Sequence, residues 1–304
     1  MKIQGSMENH NTNYKPMDFA IVDVFAEHPF QGNQLAVVKT DINLTGEQMM
    51  EVTREFGFSE TTFIRNDDPV DQPVPVRIFG LNGEMKFAGH PSLGTASVIA
   101  KGKNIRSLTL KLGIGDIKVY IENPGDSQIF EMEQKNPEFR ETHSKNDIAE
   151  ALGISAVSMD PDLPVETVST GNPFVIVPLR KLKDLAALKI NMDTSWDYLK
   201  KHNAMHFYFI SRETVSSSAA IHARMIYEKG EDPATGSAAG PAAAYMLEHR
   251  IMESGKYGWI EQGIEIMRPS MIRVTGTIKD GSIGNIRVAG RCFPIAEGKL
   301  SVLP

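Results

Sequence analysis

Two stretches of this chain combine glycine and other small residues with a following run of helix formers. One is Glu231-Asp232-Pro233-Ala234-Thr235-Gly236-Ser237-Ala238-Ala239-Gly240, which leads into the alanine-rich segment Pro241 to His249. The other, earlier, is Phe87-Ala88-Gly89-His90-Pro91-Ser92-Leu93-Gly94-Thr95-Ala96. Small residues let a backbone approach a ligand closely, and the first turn of a helix has N–H groups with no intrahelical acceptor. Together with the helix dipole, such openings favour an anion, so a carboxylate or phosphate is the expected guest. Pro91 suits the first helical position and Gly102 the exit, while Pro241 is expected in a first turn, where its missing N–H costs little. Three side chains beside the openings carry chemistry. His90 can cap its helix or relay a proton, Asp232 can complement the dipole or bond a substrate amine or hydroxyl, and Ser237 can cap.

The elements around these openings read as strands with few helices. Asp18 to Phe25 reads as a strand, and Leu35 to Lys39 as another after the turn at Gly32-Asn33. Thr45 to Phe56 reads as a helix capped by Thr45, with Met49, Val52 and Phe56 on one apolar face. Ser59 to Arg65, Val74 to Gly80, Ser107 to Leu112 and Ile117 to Glu122 read as further strands. The second half repeats the plan. Gly171-Asn172-Pro173-Phe174 echoes Gly32-Asn33-Gln34-Leu35, His206 to Ser211 echoes Ser59 to Arg65, and Ala223 to Tyr227 echoes Val76 to Gly80. Strands at Tyr257 to Gln262, Met271 to Ile278, Asn285 to Gly290 and Lys299 to Leu303 follow the second opening. A repeat of about 140 residues is too long for a solenoid and points to a duplicated domain.

The expected fold is therefore α+β, with halves at 17–134 and 135–304, each a sheet around one central helix. The crossover falls in Lys135 to Pro164, which holds a short helix at Lys145 to Leu152. Residues 1–16, polar and Asn-rich, read as a leader or tag outside the fold. Two such halves bring the helix N-termini face to face across a cleft, a favoured place for a small ligand. Asn33 and Asn172 fit turns beside it, and Arg77 and Arg224, at equivalent repeat positions, read as structural.

Composition narrows the function. A net charge of −6 over 304 residues, with no Lys/Arg run, argues against a nucleic-acid partner. No apolar run has the ~20 residues needed to span a bilayer. The single cysteine, Cys292, excludes an intrachain disulfide and fits a reducing cytoplasm. No Gly-x-Ser-x-Gly elbow and no Walker motif is present. Glu60, His90 and Asp232 suit a divalent metal by type, but no His-x-x-x-His pair supports one, and no metal is expected.

Five ordered motifs resemble the phenazine-biosynthesis PhzF-like family, relatives of diaminopimelate epimerase. They are Val22-Asp23-Val24-Phe25 to Gly32-Asn33, Ser59-Glu60-Thr61-Thr62-Phe63, Gly89-His90-Pro91-Ser92-Leu93-Gly94, Glu231 to Ala238, and Gly263 to Ile272 with Arg268-Pro269-Ser270. The resemblance spans nearly the whole chain after Asp18. It implies two pseudo-symmetric epimerase-like domains, each a barrel-like, mostly antiparallel sheet around a central helix, and a homodimer. It also implies a cofactor-independent isomerase of a small carboxylated metabolite, of the dihydro-hydroxyanthranilate type. Glu60 would be the acid/base residue, with His90 and Asp232 beside it and Gly89, Pro91, Ser92, Gly236, Ser237 and Asn33 around the substrate. A Glu turned inward from a strand can be desolvated until it exchanges protons near neutral pH. Epimerases of this fold use two thiols, which this chain lacks; one-face proton transfer by Glu60 is the expectation. The alternatives are a binding protein that kept the fold, or an epimerase using His90 and Asp232.

Overall fold

The computed structural model describes residues 15–66, 69–123, 128–228 and 230–302. Residues 1–14 of the expected leader lie outside this set, while Lys15 and Pro16 begin the first strand, Lys15–Val24. The architecture is α+β, with two almost fully buried helices, Gly89–Ala100 and Gly236–Glu248, each wrapped by strands. Their sequences are apolar or small all round, as a helix enclosed on every side requires. Of the second helix, every residue from Ala238 to Leu247 is buried. Small residues set how closely strand and helix approach. A Cβ on Gly94 would lie 2.6 Å from Leu35 Cδ2 and 2.8 Å from Val24 Cγ2.

Around the first helix, Lys15–Val24 pairs antiparallel with Asn33–Lys39, which runs parallel to Glu60–Ile64. Glu60–Ile64 pairs antiparallel with Arg77–Gly80. Around the second, Val165–Ser169 pairs antiparallel with Pro173–Leu179, which runs parallel to His206–Ser211. His206–Ser211 pairs antiparallel with Ile221–Tyr227. The parallel links interrupt sheets that are otherwise mostly antiparallel. Along His206–Ser211 the side chains alternate: Tyr208 and Ile210 join the core around the central helix, while Phe207 and Phe209 join a separate core with Ile148, Leu152, Leu185 and Leu199. That outer core seats the helices Lys145–Leu152 and Met192–Lys201 against the sheet.

Four local expectations are corrected. Val74 to Gly80 divides at Val76: Val74–Pro75 pairs parallel with Ser107–Leu112, and Arg77–Gly80 joins another sheet. The two expected C-terminal strands are one, Ser282–Val302, which pairs with Ser270–Lys279 and Ile129–Glu133 and then along Lys15–Val24. Gly290, Pro294 and Gly298 break the strand signal, yet a register shift opposite Ile21/Val22 accommodates Pro294 within the ladder. Pro241 is the sixth residue of its helix rather than in the first turn. Its missing N–H leaves the Ser237 carbonyl without an i+4 donor. Pro91 is the third residue of its helix and not the first, though still within the first turn, where its missing N–H costs little. The capped helix starts as expected: Gly46–Phe56 has a full capping box between Thr45 and Gln48.

Candidate active site

The two central helices point their N-termini at each other. A Cβ on Gly89 would lie 2.8 Å from the Gly236 carbonyl carbon and 2.9 Å from Ser237 N, so the two backbones abut with no room for side chains between them. Neither start has a side-chain cap: Ala88 has no polar atom to offer, and the Thr235 hydroxyl donates to Asp232 Oδ2 at 2.7 Å. Uncapped first turns concentrate positive partial charge at one spot. A cavity of about 460 Å³ opens there, lined by Glu60, Gly89, His90, Asp232, Gly236 and Ser237 among others.

Glu60 is the first residue of its strand and turns into this cavity. Burial, reinforced by the charge of nearby Asp232, pushes its carboxyl up to about 8. Its Oε2 lies 3.4 Å from His90 Nε2, and both atoms are buried without a hydrogen-bond partner. Burial pushes the His90 imidazole down to about 3, against a backbone hydrogen bond at Gln34, so the ring is neutral across the physiological range. Buried polar atoms without partners are costly, and a site that binds a polar ligand is where they persist.

Asp232 ends the short strand Gly230–Asp232. Burial lifts its carboxyl to about 6, opposed by donors from Thr235, Asn33 and the Ala234 backbone. Asn33 is buried and does not line the cavity; its Nδ2 lies 2.6 Å from Asp232 Oδ1, 3.0 Å from Ala234 O and 3.2 Å from His90 Nδ1. Two of these partners can only accept, which fixes the amide orientation. Behind Asp232, Gln262 donates to its carbonyl at 2.7 Å and to the Thr235 hydroxyl at 2.9 Å, while accepting from Tyr208 at 2.9 Å. Gln262 thereby holds both the Asp232 backbone and the Thr235 hydroxyl that donates to its carboxyl.

Of the remaining expected residues, Gly89, Gly236 and Ser237 line the cavity. Pro91 and Ser92 do not: both are buried in the helix, and Ser92 Oγ donates to Ala88 O at 2.7 Å. Sequence reasoning did not single out Trp196, His206, Tyr227 or Glu228, which also line it. They carry no motif; strand register and the outer helix bring them there. Cys292 does not line the cavity, and desolvation pushes its thiol up to about 12. Among the described residues, the ligand-type side chains that cluster are Glu141, His143 and His202, not Glu60, His90 and Asp232. His143 already spends both ring nitrogens on Tyr198 and Thr167. No helix among the described residues is long and apolar enough to cross a membrane.

The cleft therefore brings together two uncapped helix starts and two carboxyls raised by burial, Glu60 and Asp232. The chain belongs to the phenazine biosynthesis-like PhzC-PhzF family, whose model matches residues 22–298. It is 32% identical over 300 residues to an uncharacterized isomerase of Mesorhizobium japonicum, covering 94% of this chain and 99% of the relative. It is 30% identical over 287 residues to the trans-2,3-dihydro-3-hydroxyanthranilate isomerase of Pseudomonas aeruginosa, covering 92% and 98%. The crystal structure of a PhzF-family phenazine biosynthesis protein of Bacillus anthracis superposes with a TM-score of 0.84 at 27% identity, over 95% of this chain and 100% of that one. The chain is an enzyme of the isomerase class.

Proposed function

We propose that this enzyme isomerises a small carboxylated metabolite without a cofactor, with Glu60 taking a proton from one carbon and returning it to another on the same face. The observation that carries this is a buried Glu60, titrating near 8, beside two abutting helix starts. A group poised near ambient pH can both accept and return a proton, because neither step is strongly uphill. The ionised form is the acceptor, so activity rises with pH toward about 8. The first-turn N–H groups would hold the carboxylate and spread the charge that develops when the proton leaves. Asp232, titrating lower, would stay available to bond the substrate's amine or hydroxyl.

Isomerisation is favoured over inversion by the placement of Asn33. One amide nitrogen meets both His90 and Asp232, so these two groups sit side by side and do not flank a carbon from opposite faces. The type substrate is the one named for the Pseudomonas aeruginosa relative. We read the two halves as copies of one domain, supported by their matching strand orders. A lone, half-buried cysteine suits work in a reducing cytoplasm. Proton NMR of the enzyme with trans-2,3-dihydro-3-hydroxyanthranilate in heavy water tests the function. Double-bond migration is expected, with the new C–H carrying either the transferred proton or solvent deuterium, and is expected to vanish in Glu60→Gln; no migration in the wild type, or migration unchanged in the variant, would overturn it.

A further inference from the structure

The cavity is longer than the proton-transfer site needs. Its volume of about 460 Å³ lies in the roughly 300–1,000 Å³ range of clefts that enclose drug-sized molecules. The helix starts, Glu60 and Asp232 form only one end. Met225 pairs with Asp232 across the hairpin. Tyr227 lies two residues further along, about 7 Å at roughly 3.3 Å per residue, and Glu228 follows it. There the wall changes character. Trp196, from the helix Met192–Lys201, stacks on His206 at 5.7 Å and 25°, and His206 meets the Phe174 ring at 6.3 Å. The Trp196 indole N–H donates to Glu228 Oε1.

The charge of this cavity is one-sided. Among the described lining residues there are four carboxyl groups, Glu60, Glu84, Glu228 and Asp232, and no Lys or Arg. Glu84 is paired with Arg77 at 2.7 Å on the surface side. Burial lowers the His206 imidazole below its ordinary range, so it stays neutral and does not offset Glu228. Anion affinity therefore comes from the two helix starts alone, and the far wall offers an aromatic ledge with a carboxylate. Aromatic faces beside a carboxylate suit a cation or a ring that carries an amine.

We propose that Trp196, His206 and Glu228 form a second subsite, which takes a positively charged amine on a ring-sized spacer whose carboxylate sits at the helix starts. The substrate class is thus a zwitterionic carboxylate with a distal amine. This rests on the reading of the helix starts as the carboxylate site, and the probes are chosen to separate the two. Benzoate reports the carboxylate end, benzylamine the distal end, 4-(aminomethyl)benzoate both, and terephthalate replaces the distal amine by a second carboxylate.

Ligand-observed NMR titrations of the full chain give each dissociation constant. In the wild type, 4-(aminomethyl)benzoate is expected to bind about tenfold tighter than terephthalate, the combined effect of a partly exposed ion pair and a cation over an indole. Glu228→Gln is expected to shrink that ratio to about threefold or less and to leave benzoate unchanged, and Trp196→Leu to weaken both amine probes. Terephthalate binding as tightly as the amine in the wild type, or a ratio untouched by Glu228→Gln, overturns the subsite. Benzylamine that binds through Glu228 while benzoate fails keeps the subsite and removes the carboxylate reading. Benzoate that binds while benzylamine does not does the reverse, and silence from all four probes removes both.

Discussion

The two walls of the cavity occupy matching places in two similar strand arrangements and carry different chemistry. Glu60 begins a strand in which Phe63 faces Arg77; His206 begins one in which Phe209 faces Arg224. Met85 faces Ile78 across its hairpin, and Asp232 faces Met225. Gly89-His90 open one helix, Gly236-Ser237 the other. What the two regions share is backbone: two uncapped helix starts that together suit a single anion. What differs is the side chain at each matched place, with Glu60 against His206 and Asp232 against Met85. One wall holds a buried carboxyl and the other an aromatic ledge, and the proposed one-face chemistry rests on that difference.

Exchanging the matched residues breaks the comparison most severely. Glu60→Gln is expected to lower kcat by roughly 10²- to 10⁴-fold, the usual contribution of a general acid/base. His206→Gln is expected to act mainly on KM; steady-state kinetics of both variants would show whether the walls differ in role. The hairpin ion pairs come next. Arg224 and Glu231 are 10% and 6% exposed, and Arg224 also donates to three backbone carbonyls from Leu185 to Leu188. Arg77 and Glu84, at the matching places, are 42% and 46% exposed. Arg224→Ala should cost about 3–5 kcal/mol by leaving a buried charge unpaired, whereas Arg77→Ala should cost about 1 kcal/mol or less. Urea unfolding of the two variants measures the difference.

The two helix starts should also differ. Gly89→Ala forces a Cβ to 2.8 Å from backbone, and should destabilise by about 1–3 kcal/mol with a raised KM. Gly236→Ala meets its nearest atoms at 3.1 and 3.2 Å and should cost less by thermal melting. The smallest effect is a shift in pH dependence. Asp232 is the second cause, after burial, of the raised Glu60 carboxyl. Asp232→Asn should therefore move the rising limb of kcat/KM below about 8, alongside any loss in rate. Stability follows the same group. The protonated Glu60 carboxyl favours the folded state fully below its ordinary value of 4.5, and that stability is lost as pH climbs through about 8. The melting-temperature advantage of Glu60→Gln over wild type should thus widen from pH 5 to pH 8.

Much of this was legible in the sequence, for physical reasons that differ by residue. The helix openings announced themselves because only glycine and alanine fit where two backbones meet. Thr45 and the helix after it were readable because a cap is a local device. Glu60, His90 and Asp232 came from family motifs, since nothing local distinguishes a buried carboxyl from a strand-edge one. Asn33 was expected to hold a turn, and its role between His90 and Asp232 depends on contacts 57 and 199 residues away. Trp196, His206 and Glu228 were silent because the ledge exists only once the strand Pro173–Leu179 aligns with His206–Ser211 and a helix folds over both. The strand Ser282–Val302 read as two because a bulge can carry a proline that local propensity forbids.

The most direct test of the account is the titration of Glu60 itself, which needs no substrate. Infrared difference spectra across pH 4 to 10, with the protonated carboxyl band assigned by its absence in Glu60→Gln, would give its value. A carboxyl that ionises near 8 is the expected result. One that ionises near the ordinary 4.5 would contradict the account, because it would be too weak a base to take a proton from carbon and return it near neutral pH.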